Sequence, residues 1–95
     1  MLHEDKNKLS SEAFDLKRAI DSLKEELEAV DWYNQRAEVC SNENLKKILI
    51  HNRDEEKEHA AMLIEWLRQN DKGFEKELGE YLNLDTEDIV SAEEH

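Results

Sequence analysis

Apolar residues recur every three to four positions over the first part of the chain. The series consists of Leu16, Ile20, Leu23, Leu27, Val30 and Ala37, with Ala19 beside it and Tyr33 on its flank. This spacing is typical of one face of an α-helix, and it predicts a first helix over about residues 11–40, capped by Ser10 or Ser11. On a helical wheel Glu26 lies about 60° from Leu23, at the edge of the stripe. Glu26 can therefore face the interior of a helix bundle.

A second series of the same spacing occupies the middle of the chain. Its members are Leu45, Ile48, Leu49, Asn52, Glu56, His59, Leu63, Trp66 and Leu67. The series predicts a second helix over about residues 42–69, opened by Ser41 or Asn42. Two long helices of similar length that are joined by a short turn form an antiparallel hairpin.

The remainder of the chain predicts one more short helix. The stretch 70–73 indicates a break, with Gly73 as a left-handed helix terminator. A third helix is expected over about residues 74–82, followed by an acidic tail over 83–95. The expected fold is therefore all-α, an antiparallel two-helix hairpin plus a short C-terminal helix, in a single domain over residues 1–95.

Glu56 and His59 lie on the buried side of the second helix. Their spacing of three residues places them on neighbouring positions of one face. The four leucines of this helix at positions 45, 49, 63 and 67 fall within about 20° of Glu56 on the wheel. An unpartnered carboxylate at such a position is costly to bury. A bound cation is the natural partner, and a Glu-x-x-His pair together with a Glu from another helix is the ligand type of di-iron carboxylate bundles.

One chain supplies only half of such a ligand set. A di-iron bundle uses two Glu residues plus two Glu-x-x-His pairs, whereas this chain offers Glu26, Glu56 and His59. A two-fold axis beside Glu56 would double the ligands and would also double the hairpin into a four-helix bundle. The sequence therefore predicts a homodimer with a shared metal site, and carboxylate and imidazole ligands without thiolate suit iron or manganese.

Composition narrows the classes of partner. The formal net charge of −12 excludes a basic footprint for nucleic acid or anionic membranes and favours cations. Cys40 is the only cysteine, which excludes an internal disulfide and fits a reducing compartment. The longest apolar run, residues 60–64, is too short to span a bilayer. A cytoplasmic protein without membrane or nucleic-acid partners is expected.

Three stretches resemble one known family. EELEAVDWY at residues 25–33, HNRDEEKEHAAM at 51–62 and EWLR at 65–68 are similar to the encapsulated ferritins, at the expected separation. The resemblance implies a ferritin-like four-helix bundle formed by two chains, with ferroxidase activity at the di-iron site between them. Glu56 would bridge the irons, and Glu26 and His59 of each chain would be terminal ligands.

The same resemblance implies further sites and partners. Tyr33 matches a tyrosine near the metals, while Glu25 and Glu28 match a secondary site through which iron enters, with Trp32 adjacent. Secondary sites could also take other divalent cations such as calcium or manganese. The family forms open rings of dimers, commonly decamers, inside an encapsulin shell that stores the iron. Such proteins usually have a small, apolar C-terminal targeting peptide, a character that residues 91–95 lack, so the mode of docking to a shell is open.

Two other functions fit the same residues. A non-catalytic assembly module would use the metal only to hold helices together. A plain helical interaction protein would instead pair the buried Glu56 and His59 with each other or with Arg53, without metal. The remaining histidines, His3, His51 and His95, are expected at the surface.

Overall fold

The chain folds into three α-helices that follow one another without a strand in the described residues. The computed structural model describes residues 1–93, so Glu94 and His95 of the predicted acidic tail lie outside the described residues. The helices are α1 (Ser11–Val39), α2 (Glu43–Asn70) and α3 (Lys72–Tyr81), with single 3-10 turns at Lys6–Lys8 and Val90–Ala92. The predicted all-α hairpin with a short third helix is confirmed. None of the helices in this range combines the length and apolar composition that crossing a membrane requires.

Side-chain caps define where the two long helices begin. The Ser10 hydroxyl accepts a hydrogen bond from the Ala13 amide at 3.1 Å, and the Asn42 side chain accepts one from the Leu45 amide at 2.9 Å. Each cap satisfies an amide that the first helical turn leaves without an intrahelical partner. Only residues 40–42 connect the helices, which are about 44 Å and about 42 Å long at 1.5 Å per residue. The short connection makes α1 and α2 antiparallel neighbours.

The most completely buried side chains of α1 and α2 are mostly small. The residues buried most completely are Ala19, Ala37, Ala60 and Leu67. Several residues of the predicted apolar stripes are instead exposed in the single chain: Ile20 by 42 %, Leu27 by 53 %, Leu45 by 48 % and Ile48 by 56 %. One neighbouring helix covers only a narrow strip of each surface, and these stripes are wider than that strip. The hairpin therefore presents apolar surface that a further helix could cover.

The junction between α2 and α3 differs from the predicted break. Asp71 alone separates the helices: its amide donates to the Leu67 carbonyl at 2.9 Å, and its carboxylate accepts from the Phe74 amide at 2.9 Å. The prediction of a left-handed Gly73 is wrong, because Gly73 lies inside α3 and no glycine has positive φ. A Cβ at Gly73 would lie 3.1 Å from the Asp71 carboxylate oxygen. An added Cβ here would make the Asp71 carboxylate shift by a few tenths of an ångström, so the absence of a Cβ, and not the backbone angles, distinguishes glycine at this position.

The dimensions of the chain reflect its hairpin form. Its radius of gyration is 17.3 Å, whereas a compact domain of this length has about 12 Å. An extended hairpin has little interior, because each long helix has only one long neighbour. This shape agrees with a chain that completes its core by association.

Candidate metal centre

Three potential metal ligands converge between α1 and α2. Glu26 comes from α1, and Glu56 and His59 come from successive positions of one face of α2. One ligand atom of each lies within 4.8 Å of the others. His59 Nδ1 lies 3.4 Å from Glu26 Oε2 and 3.4 Å from Glu56 Oε2. The side chains of Glu26 and Glu56 are each 24 % exposed and that of His59 is 42 % exposed.

The donor set suits a cation, and so do the two 3.4 Å distances from His59 Nδ1. Ligand oxygens and nitrogens on one small cation lie about 3 Å apart when adjacent and about 4.2 Å apart when opposite, for bonds near 2.1 Å. Glu26 Oε2 is buried and accepts no hydrogen bond, because the 3.4 Å approach of His59 lacks the required geometry. A buried carboxylate oxygen without a partner is costly, and a metal ion at this point would satisfy it.

Arg53 does not neutralise the cluster. Its Nε donates to Asp54 at 3.1 Å, and its Nη1 donates across the seam to the side chain of Asn34 at 3.1 Å. Arg53 holds the pKa of the Asp54 carboxyl below its usual range through this hydrogen bond. The arrangement in which Arg53 pairs with Glu56 is therefore absent, and the local partner of Glu56 is His59.

The candidate metal centre opens onto one side of the hairpin. On a helical wheel Ile48 and Trp66 fall within about 20° of His59, and their side chains are 56 % and 36 % exposed. His51 points elsewhere, with a side chain 70 % exposed and 3.8 Å from Glu55. A half-exposed ligand among exposed apolar side chains is the arrangement of a site that a second subunit could close.

Tyr33 and Trp32 share a partner that the sequence analysis did not identify. Tyr33 is half-buried on α1, two turns after Glu26, whereas Trp32 is 49 % exposed. The guanidinium of Arg36 lies over both rings, 5.5 Å from the Tyr33 centroid and 5.8 Å from the Trp32 centroid. Arg at three and four positions after an aromatic residue is the signal that could have revealed these cation–π contacts.

Glu25 and Glu28 lie on the outer face of α1. Both are exposed, and together with Asp21 and Lys24 they border a surface depression of about 330 Å³. Within residues 1–93, no group of three His, Cys, Asp or Glu side chains other than the Glu26 cluster comes together at ligand distances. The secondary site at Glu25 and Glu28 stays a prediction from resemblance.

Comparison with known proteins agrees with the resemblance. Residues 1–85 match the model of the EncFtn-like family. The chain is 53 % identical over 83 residues to a ferritin-like protein of Thermotoga maritima, covering 87 % of this chain and 73 % of the relative. It is 54 % identical over 80 residues to an encapsulated ferritin-like protein of Rhodospirillum rubrum, covering 84 % of this chain and only 57 % of that relative.

A solved structure is also similar to the whole hairpin. The crystal structure of a protein from Nitrosomonas europaea superposes with a TM-score of 0.85 at 58 % identity, covering 90 % of this chain and 93 % of the other. The family match over residues 1–85 and the two relatives with more than 50 % identity agree with each other. The chain therefore belongs to the encapsulated ferritin family, and this membership supports an iron-related, ferritin-like function.

Proposed function

We propose that two copies of this chain form a di-iron centre that oxidises Fe(II) to Fe(III). The observation that supports it most is the convergence of Glu26, Glu56 and His59, with a buried oxygen on Glu26 that accepts no hydrogen bond. In this proposal Glu56 bridges two iron ions, and Glu26 and His59 are terminal ligands. Iron is the substrate of the reaction as well as the occupant of the site.

Two-fold symmetry supplies what one chain lacks. A second copy placed on the open side of the centre adds its own two Glu residues and one His, which gives the four carboxylates and two imidazoles of di-iron bundles. The same placement covers the apolar side chains near His59, among them Ile48 and Trp66. An isologous interface uses one surface patch on both subunits, so one docking mode would complete both the ligand set and the core.

The ligand chemistry suits oxidation of iron. Four carboxylates offset the charge of two cations and stabilise the ferric product more than the ferrous substrate, because the attraction grows with the ionic charge. Two Fe(II) ions release two electrons, which with two protons reduce one dioxygen to one hydrogen peroxide, or one hydrogen peroxide to two waters. The two-metal site thus matches a two-electron oxidant.

We further propose that the chain works inside an encapsulin shell, for iron storage or detoxification. This part of the proposal is supported by family membership and by the name of the Rhodospirillum rubrum relative. A ring of dimers, commonly a decamer, is the assembly that the resemblance implies. The net charge of −12 favours accumulation of cations at the surface of such an assembly.

One experiment tests assembly and oxidation together. Light scattering would report the mass of metal-free protein before and after anaerobic addition of Fe(II). Admission of air would then be followed by near-ultraviolet absorbance of ferric-oxo species. We expect the mass to increase with iron, and we expect oxidation to be faster than in a protein-free control.

The other outcomes assign other functions. An increase in mass without faster oxidation would indicate a metal-dependent assembly module. No change in either quantity would contradict the proposed metal centre and would leave Glu56 and His59 as a structural pair. Dioxygen and hydrogen peroxide are tested as separate additions, which identifies the oxidant.

A further inference from the structure

Two polar side-chain contacts join α1 to α2 within residues 1–93. One is the approach of His59 to Glu26 in the metal centre, and the other is the hydrogen bond from Arg53 to Asn34. We propose that Asn34 and Arg53 are positioning residues that fix the register of α1 against α2 and so set the affinity of the centre for metal. The inference rests on the proposed metal centre.

The two contacts obey one antiparallel register. Asn34 follows Glu26 by eight residues on α1, and Arg53 precedes His59 by six residues on α2. At 1.5 Å per residue these offsets are about 12 Å and about 9 Å. The Asn34–Arg53 hydrogen bond thus lies about two helical turns from the metal centre and constrains the same relative position of the helices.

Small side chains occupy most of the fully buried positions of the two long helices. Three of these four residues are Ala19, Ala37 and Ala60, whose side chains interdigitate less than large ones. A slip of one residue moves a helix by about 1.5 Å, whereas a functional site needs its side chains within about 0.5 Å of the productive geometry. The Glu26–His59 approach is not a hydrogen bond, so within residues 1–93 the Asn34–Arg53 contact is the one side-chain hydrogen bond between the two long helices.

Arg53 is suited to this role by its surroundings. Its side chain is 24 % exposed, and its Nε is held by Asp54. The guanidinium is therefore oriented before it reaches across the seam, which reduces the side-chain entropy lost in the contact with Asn34. The bond joins two helices, whereas the stronger-looking Arg68–Glu65 pair, at 2.6 Å, lies within α2 alone.

Cobalt binding tests the proposal without oxidation chemistry. Co²⁺ would be titrated into metal-free protein at fixed chain concentration and followed by its visible absorption. We expect Asn34→Ala and Arg53→Gln each to weaken the affinity about tenfold, the effect of losing a residue that orients metal ligands. Asn34→Asp should retain the affinity, because a carboxylate still accepts from Arg53. The matched control is Arg68→Gln, which removes an ion pair within one helix and should leave the affinity unchanged.

Three results would overturn the inference. These are equal Co²⁺ affinities of Asn34→Ala, Arg53→Gln and the wild type, an equal loss in Arg68→Gln, and a failure of Asn34→Asp to retain binding. Circular dichroism of each variant verifies that the helices are intact. The Asn34→Ala/Arg53→Gln double variant should bind no more weakly than either single variant, because both remove the same bond.

The test separates this inference from the proposed function. If the wild type binds Co²⁺ with the expected variant pattern but does not oxidise iron, the ferroxidase proposal fails and the positioning role stands. If the wild type binds no Co²⁺, the metal centre fails. In that case the register of α1 against α2 is measured by nuclear Overhauser contacts between the two helices. If these contacts are the same in Arg53→Gln as in the wild type, Arg53 does not fix the register and the inference is wrong.

Discussion

Glu26 and His59 are 33 positions apart in the chain, yet Glu26 Oε2 and His59 Nδ1 lie 3.4 Å apart across the seam between α1 and α2. The approach closes a three-residue cluster, because Glu56 already lies one turn before His59 on α2. Glu26 Oε2 remains buried without a hydrogen bond. The hairpin thus brings together acidic side chains, one of which has a buried oxygen without a hydrogen bond, at the position where a cation would bind.

Removal of single ligands should abolish iron oxidation and spare the helices. Glu56→Ala and His59→Ala each delete two ligands from a two-fold symmetric centre, so oxidation should fall to the rate of a protein-free control. Stopped-flow absorbance measures the rate, and circular dichroism measures the helix content. Glu58→Ala, on the exposed face of α2, is the control and should keep the wild-type rate. Wild-type rates in Glu56→Ala or His59→Ala would show that the site assignment is wrong.

A charge on the open face should prevent association. Ile48 is 56 % exposed on the side of His59, and Ile48→Glu would place one carboxylate from each subunit in the proposed interface. Covering the exposed 56 % of two isoleucines is worth about 1.7–3.4 kcal/mol, so the dimer should dissociate about 20- to 300-fold more readily. Sedimentation equilibrium with Co²⁺ measures this constant.

The control for that variant is Ile89→Glu. Ile89 is similarly exposed, at 58 %, but lies beyond α3. Equal dissociation constants for Ile48→Glu and the wild type would place the interface elsewhere. An equal effect of both variants on the dissociation constant would indicate a general effect of the added charge and not a specific interface at Ile48.

The Glu65 carboxyl should have a pKa far below the usual value for glutamate. Hydrogen bonds from Arg68 and Gln69 lower its pKa from 4.5 to about 2. Because the pKa is lowered in the folded chain, the stabilisation is present above pH 4.5 and is lost as the pH falls from about 4.5 to about 2. Carbon-13 chemical shifts of the Glu65 carboxyl measure the pKa directly. In Arg68→Gln it should rise toward 4.5, and an unchanged value there would contradict the assigned cause.

Gly79→Ala should stabilise α3. Gly79 lies within the helix at negative φ, and a Cβ there would meet no atom within 4 Å. Alanine in a helix interior is favoured over glycine by about 0.8–1 kcal/mol. Amide hydrogen exchange of α3 should slow about fivefold accordingly. Gly73→Ala is the contrast, because its Cβ would approach Asp71 at 3.1 Å and should slow exchange less. Faster amide hydrogen exchange of α3 in Gly79→Ala than in the wild type would show that the added Cβ is not accommodated at this position.

Several features followed from local pattern alone. The three-four spacing of apolar residues predicted both long helices, because periodicity over seven or more turns averages out single exceptions. The N-cap residues Ser10 and Asn42 were among those named, since a short side-chain acceptor before a periodic run has a direct role in capping. The prediction for Gly73 was wrong because a glycine near a helix end can be present for two reasons that look the same in the sequence. It can adopt a positive φ, or it can leave space that a Cβ would fill.

Other features depended on contacts that local pattern does not contain. The wheel placed Ile20 and Leu27 inside, but the structure exposes them, because only one helix packs on α1 and it packs over Ala19 and Ala37. The Asn34–Arg53 bond joins polar residues on separate helices, and nothing in the spacing within either helix indicates it. Pairing across a seam depends on register, which is a property of both helices together.

Composition and spacing within one segment were enough to predict the helices, the acidic character and the three candidate ligands. How the helices pack was needed to show that Glu26 faces Glu56 and His59 with an oxygen that accepts no hydrogen bond, and that nearby apolar side chains remain uncovered. Packing selects one of several faces of an amphipathic helix, and in this hairpin Ala19, Ala37 and Ala60 are among the residues it buries.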